Sequence, residues 1–136
     1  MIFPFTEVLG LAEDRVFRPM IPLILKVNTK IFKSYALIDS GADYNFLPIS
    51  IAASLGLDLS REPRYVLSAA GGKTFTVYKS PVEIDHIIKS KGQKLRWKSF
   101  VYFSEHERNI LLGESGFVNR FRVVLDGKSR NIGIEP

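Results

Sequence analysis

Residues 36–43 read ALIDSGAD. The first three are apolar, and the remaining five, 39–43, form a polar loop centred on glycine. Apolar residues in that position are typical of a strand that ends in the protein core. An aspartate delivered by such a strand is costly to ionise unless neighbouring groups share its charge. The amides of Gly41 and Ala42 and the hydroxyl of Ser40 can donate hydrogen bonds to the Asp39 carboxylate or to its neighbours. Asp39 is therefore the strongest candidate for a chemically active residue.

The chain on both sides of this loop alternates apolar and polar residues, with turn residues at short intervals. The sequence therefore predicts an all-β fold class. We expect an irregular opening up to Pro19 and one or two short helices. The clearer helix covers 49–55, and the second falls within 114–121. Strands are predicted at 23–27, 31–38, 65–67, 74–78, 82–90, 95–103, 110–112 and on both sides of the Asp126-Gly127 turn.

Composition indicates one folded domain over residues 1–136. Apolar residues make up 46% and charged residues 24%, which is too hydrophobic for a disordered chain. The longest uncharged stretch, 44–57, is shorter than the roughly 20 residues that cross a bilayer. The first residues lack a basic region followed by a long apolar one, so we expect no secretory signal, a cytoplasmic chain and no membrane partner.

Residue counts and motif searches exclude several kinds of chemistry. The chain has no cysteine and only two histidines, so disulfides, thiolate metal sites and a cysteine nucleophile are ruled out. Neither an HExxH spacing, a GxSxG elbow nor a GxxxxGK[ST] phosphate loop occurs. We therefore expect no metal and no cofactor.

Basic residues give the chain a net charge of +5. A group between Lys89 and Lys98 has Trp97 interleaved, as an RNA-stacking surface would. Alternation in 82–90 and 95–103 favours another interpretation, in which charges on exposed strands prevent pairing with other chains. A basic nucleic-acid-binding β domain is the less favoured alternative for the function.

The ordered motifs resemble the retropepsin-like aspartic proteases, the retroviral-type and bacterial gag-polyprotein-like family. The loop at 36–43 is similar to that family's active-site signature, two apolar residues followed by Asp-Thr/Ser-Gly-Ala. Leu47-Pro48 leads into a short helix as in its bacterial members, and 110–113 is similar to its apolar-apolar-Leu-Gly segment. The resemblance covers about 22–134 and implies one acid-protease barrel with a glycine-rich flap hairpin, whose tip is 69–73.

The resemblance implies an aspartic endopeptidase that acts as a homodimer on a peptide or protein substrate. Two aspartates must share a site, and this chain has one such motif, so each subunit would supply one Asp39. Ser40, Gly41 and Ala42 would support the loop, with Ser40 bonding across the subunit interface. Asp43 is expected to bind substrate backbone or an arginine.

The hairpin tip would close over the substrate, which makes Ala70, Gly71 and Gly72 candidate substrate-binding residues by the same resemblance. The alternative for Asp43 is a side chain that only stabilises its turn, and the alternative for the two glycines is an ordinary hairpin turn. Another alternative for the whole protein is a dimeric peptide-binding module of the same fold without turnover. Glu114-Ser115 stands where many family members have an arginine followed by Asp or Asn. Residues 1–20 have no clear counterpart and would either join a dimer sheet with 132–134 or fold over the body.

Overall fold

Strands dominate the computed structural model, which describes all residues from Met1 to Pro136. The predicted all-β class is confirmed. The single α-helix is α1 (Ser50–Ser54), and a 3-10 turn covers Leu11–Glu13. The strands are β1 (Ile2–Pro4), β2 (Thr6–Leu9), β3 (Arg15–Arg18), β4 (Met20–Val27), β5 (Lys30–Ile38), β6 (Phe46–Pro48), β7 (Arg64–Ser68), β8 (Thr74–Lys79), β9 (Ile84–Ser90), β10 (Gln93–Ser99), β11 (Tyr102–Ser104), β12 (Ile110–Leu112), β13 (Arg122–Asp126) and β14 (Asn131–Glu135).

A nine-stranded sheet forms the body, in the order β10-β9-β4-β5-β12-β6-β11-β8-β7. The two parallel pairs in it are β5 with β12 and β6 with β11. In the first pair Ile38 lies opposite Leu112, so the loops that follow these strands begin side by side. This register brings the segment after Ile38 against the segment after Leu112, although they are far apart in sequence.

One cluster of 20 buried apolar residues fills the interior. The strands alternate as predicted: β4 buries Ile21, Leu23 and Leu25, and the side chains between them point outward. The terminal strands contribute as well, because Phe3 of β1 and Ile134 of β14 belong to the same cluster.

The expectation of an irregular first part of the chain is wrong. β1 pairs with β14 of the same chain, and β14 also pairs with β13, which gives a three-stranded terminal sheet. β2 and β3 form a separate hairpin, and the Arg130 guanidinium lies 3.6 Å from the centre of the Phe17 ring. These strands are too short, and β2 and β3 too exposed, for an alternating pattern to mark them.

The second expected helix, within 114–121, is also wrong. The segment is a series of turns in which the Val118 amide donates to the Gly113 carbonyl and the Asn119 amide to the Glu114 carbonyl. Gly116 has a φ of 113°, which a helix does not tolerate, and its amide is bonded by the Asn119 side chain. Glycine and a side-chain bond to the backbone therefore break this helix.

The predicted strand 95–103 is split, because the chain leaves β9 at Ser99 and then pairs as β11 with β6 and β8. The Asp126-Gly127 hairpin is confirmed, although its loop covers 127–130 and its left-handed residue is Arg130, with a φ of 56°. Trp97 is buried at 7% exposure and therefore cannot serve as a base-stacking surface. No helix in the structure has the length and apolar character to span a bilayer.

Candidate active site

Asp39 is the first residue after β5, and its loop folds back around its own carboxylate. The Asp39 amide donates to the Leu112 carbonyl at 3.0 Å, which extends the parallel pairing with β12 by one bond. The Gly41 amide donates to Asp39 Oδ1 at 3.0 Å, and the Ala42 amide donates to the Asp39 carbonyl at 3.1 Å. The loop is thus a tight turn that fixes the aspartate at the end of the strand pair.

The surroundings of Asp39 are more open than the sequence suggests. Asp39 is half-buried, while Ser40 and Gly41 are exposed. Of the three expected donors to the carboxylate, only the Gly41 amide has that role, since Ala42 bonds the main chain and the Ser40 hydroxyl makes no hydrogen bond within the chain. The loop lies at the edge of a cleft, so a single chain does not supply the low-dielectric setting expected for the aspartate.

The segment after β12 holds the Asp39 loop from behind. The Glu114 amide donates to the Ala42 carbonyl at 2.8 Å and the Ser115 amide to the Asp43 carbonyl at 2.8 Å. Gly113 allows this approach, since a Cβ built there would overlap the Tyr44 carbonyl oxygen and lie 2.6 Å from that of Ala42. The two loops are therefore bonded to each other by their backbones.

Asn45 ties the second loop to the core. It is fully buried, its Oδ1 accepts from the Gly113 amide at 2.9 Å, and its Nδ2 donates to the Gly116 carbonyl at 3.3 Å. Trp97 Nε1 donates to the same carbonyl at 2.8 Å. Buried polar groups that are all bonded in this way give a loop one fixed conformation.

His86 completes this buried network. Its Nδ1 lies 2.8 Å from the Ile84 carbonyl and must carry the proton, so its Nε2, 3.5 Å from Asn45 Nδ2, is an acceptor. The ring stacks on Trp97 with 5.0 Å between centroids. Burial lowers the pKa of His86 to about 4. The hydrogen bond to the Ile84 carbonyl acts in the opposite direction and raises this pKa, while the positive charge of Arg120 lowers it further. His86 is therefore neutral near pH 7.

A cleft of about 360 Å³ separates the Asp39 loop from the hairpin formed by β7 and β8. Asp43 and Ala70, two of the residues predicted to bind substrate, border this cleft. Gly71 and Gly72 do not border it. They lie exposed at the tip, with φ of 85° and 77° and no atom within 4 Å of a Cβ built at either. The hairpin is therefore present, with its glycine tip standing away from Asp39.

Aromatic side chains join the base of this hairpin to the active-site loop. The Tyr44 and Tyr102 rings lie 4.7 Å apart, and Tyr65 of the hairpin lies 6.1 Å from Tyr102. Phe46 and Phe75 meet edge to face at 6.0 Å on the cleft wall. These rings thus anchor the hairpin to the active-site loop, while nothing lies within 4 Å of a Cβ built at Gly71 or Gly72 in its tip.

Glu107 is the cleft residue that sequence reasoning missed. It precedes β12, is half-buried, and lines the same cleft as Asp39. Burial raises the pKa of the Glu107 carboxyl, and the nearby charge of Asp39 raises it further. Nothing in the sequence distinguishes it from Glu105, an exposed loop acid two positions earlier, because its position depends on how the loop folds.

A slightly larger cavity, of about 400 Å³, lies elsewhere, along the outer side of β4 and β5. Its only charged side chains are Lys33 and Lys89, and it contains no carboxylate or histidine. Asp39, the aspartate that the sequence singles out as chemically active, lines the smaller cleft instead. The cleft at Asp39 is therefore the candidate active site.

A β fold in which one of two paired parallel strands ends in a buttressed Asp-Ser-Gly loop is the architecture of aspartic proteases. The family model described as aspartyl protease matches residues 26–115, which is most of the chain and includes Asp39. The chain belongs to the aspartyl protease family, and its fold is retropepsin-like.

A solved structure agrees with this assignment at the level of the fold, and a second is reported beside it. A retropepsin-like aspartic protease from Rickettsia conorii is 18% identical, with a TM-score of 0.58 and 97% of each chain covered. The EIAV protease in complex with the inhibitor HBY-793 is 21% identical, with a TM-score of 0.41 and coverage of 78% of this chain and 88% of that one. None of the curated proteins searched matches the chain.

Proposed function

We propose that this protein is an aspartic endopeptidase that acts as a homodimer, with one Asp39 from each chain in a shared site. The observation that carries the proposal is the Asp39 loop itself. Its carboxylate is oriented by the Gly41 amide, its backbone is braced by the segment after β12, and it opens onto a cleft. Asp58 makes the same local bond, to the Ser60 amide, and does not line this cleft, so the position of Asp39 on the cleft is what distinguishes it from an aspartate that only stabilises a turn.

Half of an aspartic protease site is present in one chain, which is the reason to propose a dimer. Ser40 and Gly41 are exposed, and a Cβ built at Gly41 meets only Asp39 Oδ1, at 3.3 Å. A second copy related by a twofold axis would find room to bring its own loop against these residues. Such an arrangement would bury both Asp39 side chains and supply the low-dielectric setting that one chain lacks.

The proposed chemistry follows from two carboxyl groups held close together. Like charges about 3 Å apart do not both ionise, so the pair holds one proton. The ionised Asp39 would remove a proton from water as the water oxygen attacks the scissile carbonyl carbon, while the protonated Asp39 donates its proton to the carbonyl oxygen. Collapse of the tetrahedral intermediate breaks the C–N bond. The Asp39 that accepted the proton of the water passes it to the leaving nitrogen, and the other Asp39 takes a proton from a hydroxyl of the intermediate, so the pair again holds one proton.

The substrate would lie extended between the Asp39 loop and the hairpin of β7 and β8. Asp43 and Ala70 border that space and are proposed to contact the peptide. Gly71 and Gly72 are proposed to close over it, since their exposed tip has room to move. We further propose that residues 1–136 act as one domain, because Phe3 and Ile134 share the core of the main sheet.

The test is cleavage of a denatured protein mixture by the wild type and by Asp39→Asn, with oligomeric state measured by sedimentation. We expect Asp39→Asn to cleave at least about a hundredfold more slowly while keeping its fold, because the amide does not activate water. Asp14→Asn is the matched control, since Asp14 is exposed on a distant turn. Equal cleavage by wild type and Asp39→Asn, or cleavage by a monomer, would contradict the proposal. A dimer that binds peptides and cleaves none would favour a binding module.

A further inference from the structure

The charge of the cleft is opposite to that of the whole protein. The chain carries a net charge of +5, yet the cleft is lined by three carboxylates, those of Asp39, Asp43 and Glu107, with no lysine, arginine or histidine. An acidic cleft in a basic protein repels acidic peptides and attracts cationic ones. Two of these residues lie on the active-site loop, so Glu107 is the carboxylate that reaches the cleft from a different element.

Glu107 has no partner within the chain. The three salt bridges of the protein join Glu7 to Arg15, Asp85 to Arg96 and Glu135 to Arg122, and no hydrogen bond reaches the Glu107 carboxylate. A half-buried carboxylate without a donor loses hydration and gains nothing in return. A cation brought by a ligand would satisfy it.

The walls of the cleft suit a long aliphatic side chain. Phe46, Leu67, Phe75 and Leu111 line it with apolar surface, and the hairpin residues that face it contribute no charge. Lysine and arginine bury their methylene stems against apolar surface while their charged ends seek a polar partner. The Glu107 carboxylate is such a partner on an otherwise apolar wall.

We propose that Glu107 selects substrates with a lysine or arginine side chain beside the scissile bond, the stem lying on the apolar walls and the cationic end meeting the Glu107 carboxylate. This inference rests on the proposed function. In a twofold dimer the second Glu107 would lie on the other side of the scissile bond. A peptide with basic residues on both sides of the cleaved bond would therefore be the best substrate.

The experiment uses peptides that are identical except beside the scissile bond, where they carry norleucine, lysine or a pair of lysines. Norleucine has the length of the lysine stem without its charge, so the comparison isolates the ion pair. kcat/KM is measured for the wild type, Glu107→Gln and Glu105→Gln, whose side chain is exposed outside the cleft. We expect about a tenfold preference of the wild type for lysine over norleucine, kept in Glu105→Gln and lost in Glu107→Gln.

The pH dependence of this preference provides a second readout. Burial and the charge of Asp39 raise the pKa of Glu107, so its carboxylate is neutralised earlier than that of an exposed glutamate as pH falls. The charged groups that face it are Asp39 and Asp43 of the loop, and the hairpin adds none. The lysine preference of the wild type should therefore shrink between about pH 7 and about pH 4, while the ratio for Glu107→Gln stays flat.

The outcomes separate this inference from the proposed function. Cleavage with no preference for lysine, or with a preference that Glu107→Gln retains, would overturn the role of Glu107 and leave the protease intact. If no peptide is cleaved, the proposed function fails, and binding of the fluorescently labelled peptides measured by anisotropy then decides the inference. Tighter binding of the lysine peptide by the wild type, lost in Glu107→Gln, would support it, and equal binding of both peptides would reject it.

Discussion

The ends of β5 and β12 lie side by side and have opposite characters. After β5 comes Asp39, half-buried, followed by exposed residues and an open cleft. After β12 comes Gly113, whose amide is bonded by Asn45 and whose α-carbon touches the backbone of the first loop. One strand end carries the candidate catalytic aspartate and the other carries the segment that supports it.

We call 39–43 the proposed reactive loop and 113–116 the support loop. The difference between them shows how the first is kept in place while its side chains stay free. Every side-chain polar atom of Asn45 and His86 is bonded, and Asn45, His86 and Gly113 are buried. The Asp39 side makes only one bond to its carboxylate and leaves Ser40 without any within the chain. Stability should therefore depend on the support loop and cleavage on the reactive loop.

Gly113→Ala tests the support side most severely. The new Cβ would collide with the backbone carbonyls of Tyr44 and Ala42, and the Ala42 carbonyl is itself held by the Glu114 amide. We expect a loss of about 4 kcal/mol or more in the free energy of unfolding, measured by urea denaturation. Gly127→Ala is the control, because nothing lies within 4 Å of a Cβ built there. Similar stability of the two variants would contradict the close approach at Gly113.

Acid should weaken the support side through His86. Its pKa is about 4 in the fold against an ordinary value of 6.5, so the unfolded chain binds more protons between these values. Stability therefore falls as pH drops from about 6.5 to about 4, by up to about 3 kcal/mol from this group.

Urea unfolding at both ends of that range, for the wild type, His86→Gln and the exposed control His106→Gln, isolates the contribution of His86. NMR titration of the imidazole gives its pKa directly. A ring that titrates near 6.5 in the folded protein would show that His86 is not the buried neutral acceptor described here.

Asn45→Ala removes the side chain that connects the support loop to the core. It leaves the buried Gly113 amide without an acceptor, so we expect a loss of about 2 kcal/mol in the free energy of unfolding. Asn109→Ala provides the matched comparison, since Asn109 is exposed and its side chain makes no hydrogen bond. Equal effects of the two substitutions would mean that the Asn45 network contributes no net stability.

Gly41→Ala examines the reactive side and should have the smallest effect on stability. A Cβ at Gly41 meets only Asp39 Oδ1, at 3.3 Å, so unfolding should change by less than about 0.5 kcal/mol. The loss in kcat/KM, expressed as a free energy, should be larger than this change in stability, because the methyl group occupies space proposed for the partner loop. Stability is measured in urea and activity as kcat/KM. A large loss of stability with unchanged cleavage would reverse the assigned roles of the two loops.

Local patterns predicted the parts of the fold that depend on neighbouring residues. Alternation located β4, β5 and the hairpin of β7 and β8, and the glycine tip of that hairpin was recognised as a turn. The segment 114–121 was predicted as a helix, since the bond from Asn119 to Gly116 is not visible as a pattern. No pattern marks β1, because it is short and its partner β14 lies at the other end of the chain, and none marks β2 and β3, because they are short and exposed.

By itself the sequence determined the family resemblance and the candidate catalytic residue, one Asp39 in an apolar-Asp-Ser-Gly context. The tertiary structure decided what surrounds that aspartate. Parallel pairing of β5 with β12 places Gly113 behind Asp39, and folding of the loop before β12 brings Glu107 into the cleft. The physical reason is that a motif consists of residues close together in the sequence. Burial, close approach and charge proximity arise only when segments distant in the sequence meet.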